Sequence, residues 1–379
     1  MHQSAIFNFM VATTSSSSAP IISINELKRF NADTGDTVLD LDLALDYGPF
    51  EGSSKLRERI ALLHSTPDAL IGAESVIVTP GSILANFLIL DAICVPGDHV
   101  VCQYPVFSQL HLLPQHRGID VSLWQLTGAG SEPDVAKLRS LVKENTKAII
   151  LNNPNNPTGA VITKEILQEI VEIAREYNIV IFSDEVFQPL IHNPDIVTCP
   201  LVSLGYENTV SSGSLSKAYG MPGVRVGWVV SPNKDLLRKI LTTRDYTTTT
   251  VSRLDDAVAA FTLGPNVLSK LLKRNLECCQ EGIKLIDAFV SRNPRCSWSK
   301  PNGGGTAFVR IHDKEGKPVE DAAFCATLAE EEGVCVIPAG WCFRDDGTND
   351  FKGYCRFPLG NLAALRQGLP ILERYLHNN

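Results

Sequence analysis

Ser214-Leu215-Ser216-Lys217-Ala218-Tyr219-Gly220-Met221-Pro222-Gly223-Val224-Arg225-Val226-Gly227-Trp228 places one lysine in a turn rich in serine and glycine, with an arginine eight residues further on. Small neighbours let a backbone come close to a ligand. A hydroxyl with a guanidinium nearby suits a phosphate. Lysine is the usual residue for Schiff-base chemistry on a carbonyl. The stretch therefore predicts a site for a phosphorylated aldehyde held on Lys217. A surface lysine in a solvated loop is the plain alternative.

Around this turn, residues 55–230 alternate between β-branched runs and amphipathic segments. Candidate strands are Ser75–Val78, His99–Cys102, Val121–Trp124, Ala148–Leu151, Ile179–Phe182, Thr209–Ser212 and Val226–Val230. Between them, Lys55–Leu63, Ser82–Ile93, Asp134–Glu144 and Lys164–Tyr177 read as helices. This alternation predicts an α/β domain with a mainly parallel sheet, whose site lies at the carboxyl ends of the strands. Beyond residue 250 the pattern changes. A long helical stretch, Arg253 to Val290, is interrupted by Pro265 alone. Short strands follow at Thr306–Ile311, Val334–Ile337 and Tyr354–Phe357, then a last helix from Asn361. That reads as a smaller α+β domain.

Further motifs agree with the lysine turn. Asp184, in Ser183-Asp184-Glu185-Val186, closes the apolar run Ile179–Phe182, where a carboxylate is costly unless it meets a positive partner; capping a helix is the other reading. Gly81-Ser82-Ile83 opens an apolar helix, and free backbone N–H groups at a helix start attract anions. With Ser214 and Arg225 they would make a phosphate cup. Asn152-Asn153-Pro154-Asn155-Asn156-Pro157-Thr158-Gly159 is a fixed turn that would aim the Asn156 amide. Arg356, in Tyr354-Cys355-Arg356-Phe357, carries a planar fork suited to a carboxylate.

In order and spacing these motifs resemble the class I/II aminotransferase family, pyridoxal-phosphate enzymes of fold type I, from about Asp40 to the C-terminus. The resemblance implies an aspartate aminotransferase-like architecture. A large domain (47–252) would carry a mainly parallel seven-stranded sheet flanked by helices. A small domain (253–379) would be joined by the segment 21–46, after a flexible tail over 1–20. It implies that Lys217 holds pyridoxal 5'-phosphate as a Schiff base and then moves the substrate's Cα proton. Asp184 would hold the pyridine ring cationic, Asn156 would bind its phenolic oxygen, and Phe107 would stack on its face. Gly81, Ser82, Ile83, Ser214 and Arg225 would bind its phosphate, and Arg356 the substrate α-carboxylate. Tyr47, in Asp46-Tyr47-Gly48-Pro49, would reach the phosphate of a neighbouring subunit, making a homodimer with shared sites. The reaction would pass through an external aldimine and a quinonoid, by default to transamination.

Two departures stand out. Three residues after the aspartate the family carries a tyrosine that hydrogen-bonds the phenolic oxygen, and here that position is Phe187. Tyr219 is one candidate to replace the lost donor. The N-terminal arm is short as well. With Arg244-Asp245-Tyr246-Thr247-Thr248 this is similar to the subgroup that cyclises or oxidises amino acids, capreomycidine synthase among its members, so lyase, cyclase or oxidase chemistry stays open. Tyr104, Trp341 and Phe343 are candidate pocket residues or plain core. A cofactor-binding protein without turnover is the competing class, and the complete set Lys217, Asp184, Asn156, Arg225 and Arg356 argues against it.

Composition bounds the rest. The 379 residues carry a formal net charge of -8, with 44% hydrophobic and 20% charged residues. A mildly acidic chain without a basic block argues against nucleic acid and anionic membranes. The sequence contains no apolar run near the roughly 20 residues of a membrane span. Ten cysteines are scattered without a CxxC pair or zinc spacing, so no metal site is expected and the reading is reduced thiols in the cytoplasm.

Overall fold

A computed structural model describes residues 19–31, 37–126, 132–342 and 351–379, with backbone alone at 341 and 342. Apart from Ala19 and Pro20, the expected tail over 1–20 lies outside the described residues. So do Phe343 and the side chain of Trp341.

Seven strands build the larger sheet: β1 Val76–Thr79, β2 His99–Tyr104, β3 Asp120–Gln125, β4 Thr146–Asn152, β5 Val180–Asp184, β6 Thr209–Ser214 and β7 Gly227–Val230. Their order is β1-β7-β6-β5-β4-β2-β3. All pairings are parallel except the two that β7 makes with β1 and β6. The central strands are buried along almost their whole length because both faces are covered, as parallel sheets require. The register sets Asn152 beside Asp184, and Asp184 beside Ser212, at the carboxyl edge.

The helices are α1 Ile24–Phe30, α2 Ser54–Leu63, α3 Ser82–Ile93, α4 Gln109–His116, α5 Val135–Leu141 and α6 Lys164–Tyr177. They continue with α7 Lys234–Asp245, α8 Arg253–Thr262, α9 Pro265–Arg292, α10 Asp321–Glu332, α11 Ala339–Cys342 and α12 Leu362–Asn378. α6 shows how local sequence sets such an element. The Thr163 hydroxyl caps its start, Leu167, Ile170, Val171 and Ala174 form its buried face, and Asn178 ends it in the left-handed region at φ 53°. Side-chain caps and an αL residue are the ordinary start and stop signals of a helix.

The long helical stretch expected over Arg253–Val290 is two helices. Gly264 separates them and Pro265 sits in the first turn of α9. Proline lacks the N–H that a helix interior needs but fits a helix start. α9 then runs for 28 residues and packs along α12. The second sheet is antiparallel, in the order β10-β11-β9-β8, built from β8 Cys296–Trp298, β9 Thr306–Ile311, β10 Ile337–Pro338 and β11 Tyr354–Pro358. β8 escaped the sequence reading because three residues carry no readable alternation. The strand expected at Val334–Ile337 shrinks to two residues.

β5 runs through the middle of the larger sheet, and Phe182, fully buried on it, packs into the layer beneath α3 and α7. Phe182→Ala should destabilise the fold by about 3–5 kcal/mol through lost burial and an unfilled cavity. A urea titration of both proteins checks this; a midpoint unchanged at equal slope would contradict it.

Candidate active site

The carboxyl ends of β4, β5 and β6 meet above the sheet, and each supplies a side chain. Asp184 is buried and ends β5. Its Oδ2 accepts a hydrogen bond from Asn86 Nδ2 at 3.0 Å and its Oδ1 one from the Val186 N–H at 3.1 Å. Asn86 is itself oriented, since its Oδ1 accepts from the Ser212 hydroxyl on β6 at 2.6 Å. Burial pushes the Asp184 carboxyl up to about 6, against these two hydrogen bonds, which favour the carboxylate.

Lys217 lies in the turn between β6 and β7, which rests on the end of β5 through Ala218 N–H to Val186 O. Burial brings its ammonium down from 10.5 to about 8. Arg356 and Arg225 push the same way and Asp184 opposes them. A lysine so placed is largely a free amine in mildly alkaline solution, which is what attack on a carbonyl needs.

Asn156 follows from the turn after β4. Its N–H donates to Asn152 Oδ1 at 2.7 Å, while Asn152 Nδ2 donates to the Asp184 carbonyl at 2.9 Å. Arg356 Nη1, on β11 of the other sheet, donates to Asn156 Oδ1 at 3.1 Å. A cavity opens at Lys217, Asn156 and Arg356 and continues between α12 and the segment before β10. Its inner wall is apolar, with Val336, Leu365 and Leu369. Phe187 lines it too and is buried.

At the other side, α3 begins without a side-chain cap, because its N-cap is Gly81 at φ 86°. A Cβ at Gly81 would stand 2.5 Å from Arg225 Nη2, so glycine is what lets the guanidinium lie against the helix start. Backbone N–H groups of Ser82 and Ile83 and a cation thus share one corner, the arrangement that holds phosphate. Arg225 Nη1 donates to the Ser216 hydroxyl at 3.3 Å. Ser214 sits one step back: its hydroxyl donates to the Val226 carbonyl and accepts from the Ser216 hydroxyl, at 2.9 Å each. Phe107 is half-buried beside the Asn156 turn, where Asn155 Nδ2 donates to the Pro105 carbonyl at 3.0 Å.

Asp184, Asn156, Lys217, Arg356 and Arg225 are therefore gathered into one site. Tyr47 is not. It is 79% exposed and lines a separate depression with Val251 and Leu254. Tyr219 does not stand in for the missing tyrosine hydroxyl at Phe187, because it is packed in the core edge-on to Trp228. The patch Arg244–Thr250 is not wholly surface either: Arg244 is fully buried and donates to the Phe50 carbonyl.

Sequence reading missed Asn86 and Ser212. The available signal was an asparagine inside the otherwise apolar face of α3. It missed a second anchor as well. Glu185, next to Asp184, accepts from the Leu201 N–H at 2.9 Å and lies 3.4 Å from His64 Nδ1. His64 Nε2 accepts from the Trp228 indole at 2.9 Å. An indole only donates, so His64 carries its proton on Nδ1, toward Glu185.

The set fits pyridoxal phosphate. A buried carboxylate, an amine of lowered pKa, a phosphate corner closed by Arg225 and a carboxylate-binding fork are the groups that cofactor and an amino acid require. Comparison with known proteins agrees. The family model for aminotransferase class I and II matches residues 24–344. Capreomycidine synthase of Streptomyces vinaceus is 30% identical over 77% of this chain and 72% of its own length. Tyrosine aminotransferase of Caenorhabditis elegans is 28% identical over 79% of this chain, and the chain spans 65% of that protein. Among solved structures, a PLP-dependent aminotransferase from Streptococcus suis superposes with a TM-score of 0.85 at 31% identity, covering 96% of this chain and 92% of the other.

In the cofactor-free protein, acylation of Lys217 should reach half its limiting rate near pH 8. Arg356→Gln removes a like charge and should move that midpoint up. Asp184→Asn removes the opposing carboxylate and should move it down. Labelling rate against pH, read on the Lys217 peptide by mass spectrometry, checks both signs.

Proposed function

We infer the activity of this chain from the premise that it belongs to the class I and II aminotransferase family: it is a pyridoxal-phosphate-dependent enzyme acting on α-amino acids, with transamination to a 2-keto acid as its default reaction. The observation that carries this reading is Lys217, brought down to about 8 between Asp184 and Arg356. When bound, pyridoxal phosphate supplies a carbonyl that condenses with amines and a ring that accepts electrons. Lys217 Nζ, free as an amine, first holds that group and afterwards takes and returns the proton at the substrate's Cα. Asp184, oriented by Asn86, would hold the ring nitrogen in its protonated form. Arg356 binds the α-carboxylate bidentately and orients the Cα–H bond toward Lys217. Asn156 binds the ring's phenolic oxygen, and Arg225 with the start of α3 binds the phosphate.

Phe187 favours a second reading. Its ring offers no donor where the family carries a tyrosine hydroxyl, which weakens support for a phenolate. The likeness to capreomycidine synthase points the same way, so cyclisation, elimination or oxidation on the same groups is the alternative.

We propose that the working unit is a homodimer with shared sites, divided into a large part over 47–252 and a small part over 253–379. Leu45 and Tyr47 line one depression and are exposed, as are Leu41, Phe50 and Tyr246, and exposed apolar surface supports an interface. In that arrangement Tyr47 belongs to the partner's phosphate corner. The described cysteines are free thiols, in keeping with the cytoplasm, and among the described residues no helix is long and apolar enough to cross a membrane.

Mixed with a panel of amino acids and no keto acid, the loaded enzyme should release keto acid up to one equivalent per site and stop. Continued release of ammonia, peroxide or a cyclic product would establish the second reading instead. Lys217→Ala should lose the lysine–cofactor absorbance and all turnover; retained turnover would overturn the assignment. Sedimentation should give the mass of two chains, and Tyr47→Phe should weaken cofactor retention by about tenfold, the order of one hydrogen bond to a charged group.

A further inference from the structure

Lys217 and Arg356 belong to different sheets, so their separation depends on what holds the two sheets together. One face of α9 touches both turns. Asn275, fully buried on that helix, donates from Nδ2 to the carbonyl of Ala218, the residue after Lys217, at 2.9 Å. Its amide orientation is set by Arg274, whose Nη1 donates to Asn275 Oδ1 at 3.0 Å. Seven residues further, Gly282 lies under the loop that follows Arg356. A Cβ there would stand 2.2 Å from the Leu359 carbonyl oxygen. Between them, Cys278 Sγ donates to the Gly360 carbonyl at 3.5 Å. Residues 275, 278 and 282 fall on one helical face, and seven residues span about 10 Å of helix.

A strap closes the same assembly. Arg274 donates to the carbonyls of Pro20 and Ile21 at 3.0 Å each, and the Ile22 N–H donates to the Gly220 carbonyl at 3.3 Å. The lysine turn is thus held between α9 and the residues 20–22. Ala218 O has a buried donor, and the loop after Arg356 rests directly on helix backbone, where a packed interior cannot yield by small steps.

We propose that this face of α9 is a spacer setting the distance between Lys217 and Arg356, with Asn275 the positioning residue for the lysine and Gly282 for the arginine. This rests on the reading of the site as one where the lysine moves a proton on a substrate gripped by the arginine. The two ends of the spacer then act on different parameters. Asn275→Asp keeps size and the Arg274 contact but cannot donate to Ala218 O, so the lysine turn shifts. Gly282→Ala displaces the loop after Arg356.

The test compares both variants with the parent enzyme, using the amino acid that the parent turns over fastest. Asn275→Asp should lower kcat about tenfold or more with KM nearly unchanged, since small misplacements of a reacting group cost that much. Gly282→Ala should chiefly raise KM. In the cofactor-free proteins, the pH midpoint of Lys217 acylation should shift for Gly282→Ala, upward if Arg356 recedes from the lysine and downward if it nears, because Asp184 and Arg225 stay. Activity lost only in proportion to folded protein, with kcat, KM and the Lys217 midpoint at parent values, would overturn the spacer. If Gly282→Ala does not fold, the kcat-against-KM split of Asn275→Asp decides alone. If the parent shows no turnover, the reading of the site fails, while the Lys217 midpoints still decide the spacer.

Discussion

Holding a lysine and an aspartate out of water at one edge of a sheet is the constraint on which this structure depends. Burial works against both charges and is the largest influence on each: with the neighbouring groups included, Asp184 stands at about 6 and Lys217 at about 8. Uncompensated, such groups would cost several kcal/mol each. The neighbouring elements answer that cost at Asp184. Asn86 and the Val186 N–H solvate its carboxylate, Ser212 aligns Asn86, and Asn152 satisfies the carbonyl behind it. Every donor comes from a different element, so the carboxylate is only as well placed as the packing of α3 on β5 and β6. The lysine is left partly frustrated, with Arg356 and Arg225 outweighing Asp184, and that frustration favours its free amine form.

The same division runs through the rest of the site. At the start of α3, backbone N–H groups meet the Arg225 guanidinium: the helix start is open because Gly81 has no side chain to cap it or to keep Arg225 away. Parts that must move protons or orient charge are made of side chains locked by second partners. Glu185, which accepts from the Leu201 N–H, also lies 3.4 Å from His64, and His64 accepts from the Trp228 indole, a buried set next to the end of β5. Phe187 breaks this pattern, being an apolar wall among polar groups. The apolar continuation of the cavity past it, along α12, leaves room on that side that a hydroxyl network would have structured.

Much was legible in the chain itself. All seven strands of the larger sheet show in the sequence, most of them as β-branched or apolar runs, because strands covered on both faces need no alternation with polar residues. Lys217, Asp184, Asn156, Arg225 and Arg356 stand out because a charged or amide residue in an apolar or glycine-rich setting needs a partner. β8 did not show, being three residues long. The break at Gly264 was visible only as Pro265, which reads equally as a kink. Asn86 hid because one amide in a helix has many uses, and which one applies depends on what the helix packs against.

By itself the sequence determined the alternation of strand and helix, the turn that carries Lys217 and the kinds of groups that could serve a phosphorylated aldehyde and an amino acid. These are local properties, set by neighbours in the chain and by the cost of burying charge. Tertiary structure decided which of those groups meet. It brought Arg356 from another sheet against Asn156, turned the Ser216 hydroxyl toward Arg225, packed Tyr219 away from the site and left Tyr47 on an exposed face. It also laid one face of α9 under both reacting turns. Such pairings join residues far apart in sequence, and the chain carries no local signal for them because they arise from how whole elements pack.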